Sequence, residues 1–188
     1  DVKNENIFLY RVPIGVVAGI LPWNFPFFLI ARKVAPALIA GNSIIIKPSE
    51  ETSYNAFFFT KIIHELNLPK GLINVVYGKG ETVGKYLSAH PDIDMISFTG
   101  SVETGSLIMK EAAKNITKVN LELGGKAPAI VLGDADISKA ANKIKNARVI
   151  NSGQVCNCVE RVYVQNNILD EFTDTLSKVM ENVNYGNP

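Results

Sequence analysis

Cysteine is scarce in this 188-residue sequence, with only Cys156 and Cys158 present. A single residue separates them, too short a span to close an unstrained disulfide, so no disulfide framework is available. That scarcity fits a reducing compartment, and a cytoplasmic location is expected. Surplus charge of one sign is also lacking. Nineteen Lys and Arg stand against eighteen Asp and Glu, a formal net charge of +1. Nothing here neutralises a run of phosphates, and no nucleic-acid partner is expected. Long apolar runs are missing as well: the longest, 13–23 and 25–31, fall short of the ~20 residues that cross a bilayer. The first residues carry no basic segment leading into an apolar one, so neither a signal peptide nor a membrane association is expected. There is no internal repeat, no low-complexity tract and no linker rich in Gly, Pro and Ser. No metal site is expected.

What is present is apolar side chain, 47% of the sequence, enough for one sizeable core or for one domain plus part of another. Short β-branched runs alternate with longer helical periods, the pattern of an α/β domain built on a parallel sheet. Strands are expected at 15–20, 43–46, 73–77, 95–98, 119–123 and 129–132, mostly as continuous apolar runs covered on both faces. Helices are expected at 27–40, 54–66, 82–89, 102–115 and 136–147, the first stopping at Gly41-Asn42. A strand at 161–165 and an amphipathic helix at 169–183 follow. An opening strand at 6–12 lacks a partner before it, and the final Tyr-Gly-Asn-Pro comes straight after a helix, so both ends look cut. The residues after Leu123 look like the beginning of a second domain.

Two glycine loops bear on a cofactor. Residues 95–98 and the following Thr99-Gly-Ser-Val-Glu-Thr-Gly105 form a strand, a tight turn and a helix start. Gly100 lets backbone approach a ligand there, and Ser101 caps a helix whose free N–H groups suit a pyrophosphate; an ordinary capped turn has the same pattern. The loop Gly78-Lys-Gly-Glu-Thr-Val-Gly84-Lys85 invites a phosphate reading that fails. Five residues, not four, separate the glycines that precede its Lys, and Tyr86 occupies the place of the magnesium-binding Ser or Thr. The third glycine is also one position late for a dinucleotide fingerprint. Lys47-Pro48-Ser49-Glu50 closes an apolar strand at the edge where open α/β sheets bind ligands. Its Lys and Glu suit ribose hydroxyls, the carboxylate favouring a free 2′-OH over a 2′-phosphate, though a solvated ion pair has the same sequence.

Three residues are suited to covalent chemistry. Cys156, in Ser152-Gly-Gln-Val-Cys156-Asn-Cys158, lies in a short polar loop where a thiol can be exposed and activated. A buried structural cysteine is the alternative. The residues alone do not choose between the two thiols, because positions two apart in an extended segment share a face. Glu122, at an apolar strand end before Gly124-Gly125, is expected to be partly desolvated, which raises a carboxyl toward the range of a general base; a Glu paired to a Lys or Arg is the alternative. Asn24, between Pro22 and Pro26, can aim amide donors at an oxyanion or serve merely as a turn residue. Arg161, five residues after Cys156, can pair a substrate carboxylate, but a structural ion pair is the expected role.

In order along the chain, Pro22-Trp-Asn-Phe-Pro26, Lys47-Pro-Ser-Glu50, Phe98-Thr-Gly-Ser101 with Gly105, Leu121-Glu-Leu-Gly-Gly125 and Gly153-Gln-Val-Cys156 resemble the motifs of the NAD(P)-dependent aldehyde dehydrogenase superfamily. The separations of Asn24 from Lys47 and of Glu122 from Cys156 match as well. The resemblance implies a Rossmann-like doubly wound parallel sheet at 14–123, preceded by an oligomerisation-arm strand at 1–13. The beginning of an α/β catalytic domain would follow at 124–188. It implies Cys156 as nucleophile with Cys158 a bystander, Glu122 as base, and Asn24 with the Cys156 backbone N–H as oxyanion hole. Lys47 and Glu50 would hold the adenosine ribose, Gly100 and Ser101 the pyrophosphate, and Ile20, Pro22 and Trp23 the cofactor groove.

NAD is implied as the cofactor, a small hydroxyaldehyde such as lactaldehyde or glycolaldehyde as substrate, and a homo-oligomer, dimer or tetramer, as the parent. Family members run to roughly two and a half times this length, so the chain is expected to be a central fragment, inactive alone. An NAD-binding piece without catalysis, or an enzyme passing its acyl group to coenzyme A, are the alternatives. Glu122 argues against the latter, because a water-activating base belongs to a hydrolytic ending.

Overall fold

The computed structural model describes residues 6 and 8–187. By its internal contacts the chain divides after Leu123 into two compact units.

The first unit is built on five strands, all parallel: β1 (Val16–Ile20), β2 (Ser43–Lys47), β3 (Ile73–Val75), β4 (Met95–Gly100) and β5 (Lys118–Leu123). Their spatial order is β3-β2-β1-β4-β5, a doubly wound arrangement whose order reverses between β1 and β4. Helices α1 (Pro26–Ile39), α2 (Ser53–Glu65), α3 (Lys85–Ser88) and α4 (Val102–Ala112) connect them. Side chains alternate across the sheet, as the period of two requires. Val17, Ile44 and Ile46 pack with Leu29, Ile30 and Val34 of α1 and Ala56 of α2. On the other face Ala18, Ile20, Ile96 and Phe98 pack with Ile108 and Ala112 of α4.

Local chemistry fixes the joints. Pro26 opens α1, where a missing N–H costs nothing, and Gly41 ends that helical run at φ +80. Asn42 follows, 6% exposed. Its Oδ1 accepts from the N–H groups of Ile14 and Gly15 at 2.6 and 3.0 Å, and its Nδ2 donates to the Ala37 carbonyl. One amide thus ties the end of α1 to the entrance of β1.

The second unit places β6 (Ala127–Val131) beside β7 (Val159–Val164) in parallel, with α5 (Ile137–Val149) between them in sequence and α6 (Leu169–Glu181) after them. Val131, Ala141 and Phe172 form its core, with Val162 and Val164 packed against them.

Several expected elements are corrected. Residue 7 of the opening strand lies outside the described residues, and residues 8–12 are exposed without strand pairing. The helix expected at 82–89 starts as a wider turn, Gly80–Gly84, before one α-turn, Lys85–Ser88. There the Lys79 carbonyl accepts from the N–H groups of Thr82, Val83 and Gly84. The strand at 73–77 ends at Val75, and β6 and β7 begin two residues earlier than their apolar runs suggest. Pro128 in β6 sits at a register shift, the setting that tolerates a missing donor. Among the described residues Arg161 makes no ion pair: its Nε donates to the Lys126 carbonyl at 2.9 Å and its guanidinium lies 5.9 Å from the Tyr163 ring.

Candidate active site

Every candidate in the first unit stands at the carboxyl edge of the sheet. β1 ends at Ile20 and runs into Pro22, Trp23 and Asn24; β2 ends at Lys47, three residues before Glu50. Gly100 and Ser101 follow the body of β4, and Glu122 lies near the end of β5. The register aligns Ile20 with both Lys47 and Phe98, and Thr99 with Glu122. This edge, near the reversal between β1 and β4, is where open α/β sheets take their ligands.

Lys47 is buried at 2% exposure, facing away from the α1 side. Its Nζ donates to the Pro48 carbonyl at 2.8 Å and to Glu50 Oε2 at 3.0 Å. Glu50 Oε1 accepts from the Gly80 N–H at 2.7 Å. Desolvation pushes the Glu50 carboxyl up, but hydrogen bonds from its own backbone N–H and that of Gly80, together with Lys47, outweigh it and hold the group below the ordinary carboxylate range. An ammonium beside an ionised carboxylate is a donor and an acceptor set side by side, the chemistry that fits a ribose diol.

Ser101 caps α4: its Oγ accepts from the Thr104 N–H at 3.1 Å and donates to Thr104 Oγ1. The hydroxyl is thereby engaged within the helix start. Gly100 has a packing reason that the sequence did not reveal, since a Cβ there would come within 2.4 Å of the Phe98 ring. Gly105, one turn into α4, has a similar one in Leu123. Trp23 is half exposed, Asn24 half buried in the bend before α1, and Ile20 lies inside the α4-side core.

Glu122 departs from expectation. Alternate residues of β5, Lys118, Asn120 and Glu122, are exposed: β5 is the last strand of this sheet, and those positions face the α1 side. The side chain is exposed where burial was expected.

One residue escaped the sequence reasoning. Lys33 is 7% exposed, on the apolar stripe of α1 that also carries Leu29, Ile30, Val34 and Ala37. Its stem crosses β1 over Gly19, where a Cβ would come within 3.4 Å of Lys33 Cδ, and its Nζ donates to Ser97 Oγ at 3.0 Å. Burial lowers its pKa to about 8, against the pull of the Glu122 carboxylate and with a smaller push from Arg32. A charged residue at a stripe position was the available signal.

In the second unit the two thiols differ. Cys156 is exposed and Cys158 is 2% exposed. The expectation of a shared face fails because the segment is not extended: the Cys158 N–H donates to the Val155 carbonyl at 3.1 Å, closing a turn. The preceding loop holds three consecutive left-handed residues, Asn151 (φ 48), Ser152 (φ 55) and Gly153 (φ 80). A Cβ at Gly153 would also meet the Arg148 guanidinium at 3.3 Å, and one at Gly125 would lie 3.2 Å from the Cys156 carbonyl.

The fold and this edge define a doubly wound α/β protein with candidate site residues at the strand ends of its first unit, and the second unit carries an exposed thiol on a tight loop. The chain belongs to the aldehyde dehydrogenase family, whose profile matches residues 1–188. It is 60% identical to lactaldehyde dehydrogenase of Escherichia coli over 188 residues, all of this chain and 39% of that protein. The crystal structure of the E. coli enzyme superposes with a TM-score of 0.92 at 61% identity, covering 94% of this chain and 37% of that one. A betaine aldehyde dehydrogenase from Staphylococcus aureus, solved in complex with NAD+, superposes at 0.90 with 43% identity, over 93% of this chain and 35% of that one. The chain thus spans about two-fifths of the length of the relatives it matches. No helix among the described residues is long and apolar enough to cross a membrane.

Proposed function

We propose that this chain supplies the cofactor edge and the nucleophile of an enzyme that oxidises a small hydroxyaldehyde, such as lactaldehyde or glycolaldehyde, to its carboxylic acid. The observation that carries this reading is the 60% identity to the E. coli lactaldehyde dehydrogenase along the whole chain. The cofactor is NAD+, which when bound accepts the hydride. Lys47 and Glu50 grip its adenosine ribose, Gly100 and Ser101 lie under its pyrophosphate, and Ile20, Pro22 and Trp23 border its groove.

The chemistry divides among three side chains. The Cys156 thiolate adds to the aldehyde carbon, and the alkoxide so formed is stabilised by the Asn24 amide and the Cys156 backbone N–H. That addition creates a tetrahedral carbon able to release hydride, and its loss leaves an acyl thioester on Cys156. Glu122 then takes a proton from water, which attacks the thioester and frees the acid and the thiolate. Glu122 itself supports the hydrolytic ending over acyl transfer to coenzyme A, since a water-activating base is what that ending requires. The parent works as a homo-oligomer in the cytoplasm.

The test is NADH formation from glycolaldehyde by the full-length protein that carries this sequence. Loss of turnover in Cys156→Ala and a large fall in Glu122→Gln are expected, whereas an unimpaired Cys156→Ala enzyme would sink the reading. The 188-residue chain alone is expected to form little or no NADH, because it corresponds to only 39% of its relative's length. Turnover by the chain that disappears in Cys156→Ala would reverse that expectation.

A further inference from the structure

The loop from Gly78 to Gly84 matches neither phosphate-binding spacing, yet both ends of it meet the Lys47–Glu50 pair. Its Gly80 N–H donates to Glu50 Oε1 at 2.7 Å across thirty residues of sequence. At the other end, a Cβ on Gly84 would lie 3.9 Å from Lys47 Cδ, so the loop backbone lies along the lysine stem. The loop itself is firmly shaped. The Lys79 carbonyl accepts from three successive N–H groups, and Gly78 stands at φ +149 with Val83 filling the space a Cβ would need. Lys79 and Glu81, both largely exposed, pair with each other at 3.9 Å.

We infer that the Gly78–Gly84 loop is the positioning element of the cofactor grip, fixing the Glu50 carboxylate for a free ribose diol and against a 2′-phosphate. This rests on Lys47 and Glu50 holding the adenosine ribose, as proposed above. The carboxylate has two oxygens: Oε2 takes the Lys47 ammonium and Oε1 takes Gly80. With both anchored, its plane and its charge are set before any ligand arrives, so less ordering remains to be done on binding. A fixed negative charge at that spot repels a 2′-phosphate, and removing the Gly80 donor frees the carboxylate to swing away.

The distinguishing pair of variants is Gly80→Pro and Gly80→Ala in the full-length protein that carries this sequence. Proline deletes the donor and sets its ring Cδ where the amide proton pointed at Glu50 Oε1, so the carboxylate is also pushed off its anchored position. The preceding Lys79 already has the extended conformation that proline demands (φ −68, ψ 150), and the space around Gly80 is open, with nothing nearer than Glu50 Oε1 at 3.9 Å. Alanine keeps the N–H. Two measurements apply: NAD+ and NADP+ binding by calorimetry, and titration of the Glu50 carboxyl by carbon NMR.

Gly80→Ala is expected to match the wild type in both. Gly80→Pro is expected to titrate at higher pH at Glu50, to bind NAD+ about tenfold more weakly, as loss of a hydrogen bond to a charged group implies, and to lose preference for NAD+ over NADP+. A proline variant with wild-type values in both measurements overturns the inference, as does one that moves the titration without weakening NAD+. If neither wild type nor Gly80→Ala binds NAD+, the ribose assignment itself falls and takes the inference with it. Should Gly80→Pro fail to fold, Gly84→Val, which crowds the Lys47 stem, replaces it with the same expected loss of NAD+ affinity, and unchanged affinity counts against the inference.

Discussion

Lys33 and Ser97 meet across the centre of the sheet, Nζ to Oγ at 3.0 Å, with the lysine stem lying over Gly19 of the intervening strand. Gly19 and Ser97 are register partners, so the lysine runs from α1 over β1 to β4, at the point where the strand order reverses. No other charged residue of α1 is buried.

The first prediction concerns this lysine. Its folded pKa, about 8, lies below the ordinary 10.5, so the folded chain releases this proton at lower pH than the unfolded chain. The cost of burying the ammonium is therefore present in full below about pH 8, and stability rises as pH climbs from there toward 10.5. A shift of that size corresponds to something on the order of 3 kcal/mol. Lys33→Met is expected to be at least as stable as the wild type at pH 7 and to lose the rise above pH 8. Urea midpoints at pH 7 and pH 10 check this; a wild-type slope in Lys33→Met would contradict it.

Asn42 gives the second. With the side chain cut back in Asn42→Ala, the N–H groups of Ile14 and Gly15 lose the oxygen they share, at a cost of about 2–4 kcal/mol for two stranded donors. Asn42→Asp keeps the acceptor for Ile14 and Gly15 but sets a buried oxygen against the Ala37 carbonyl, and its loss is expected to be smaller at acidic pH, where the protonated acid can donate in the amide's place. Thermal unfolding of the two variants at acidic pH ranks them, and equal loss would show that the strand-entrance bonds matter less than the one to α1.

Thiol reactivity gives the third. Cys156 is exposed and Cys158 buried, so iodoacetamide is expected to alkylate Cys156 alone in the folded chain and both residues in urea. Peptide mass mapping decides it. Rapid native labelling of Cys158 would mean that the turn from Val155 to Cys158 opens readily.

The left-handed run before the thiol gives the fourth. Ser152 at φ 55 is a conformation that costs an L-residue about 1 kcal/mol and glycine almost nothing. Ser152→Gly is expected to stabilise the chain by about 0.5–1 kcal/mol and Ser152→Val to destabilise it by more. Chemical denaturation of both variants measures the effect, and a destabilised glycine variant would show that the hydroxyl contributes more than the backbone strain costs.

Much of the fold was legible because it rests on period and run length. Ile44 to Ile46 and Met95 to Phe98 are apolar runs too short for helices, and both are interior strands. Gly41 marked a helix end by chemistry that acts within a few residues. The less legible features depend on neighbours distant in sequence. Gly100 reads from sequence as a place for a ligand, and its missing Cβ also makes room for the Phe98 ring, a packing reason that no local pattern encodes. The exposure of Glu122 follows from β5 being last in the sheet, a matter of strand order that no local pattern encodes. Lys33 could have been noticed as the one charge in an apolar stripe, but its partner Ser97 lies sixty-four residues away. The two cysteines were indistinguishable until a turn set them apart.

The strand order carries a consequence for how the chain comes off the ribosome. β1 is made first and sits in the middle; β2 then pairs with β1, β3 with β2, β4 with β1 and β5 with β4. Each later strand emerges after the neighbour on which it docks and so finds an edge already made, while β1 keeps its second edge open until β4 arrives. These five strands therefore add outward from the centre, and all of them have emerged by Leu123, before the codon for Cys156 is reached.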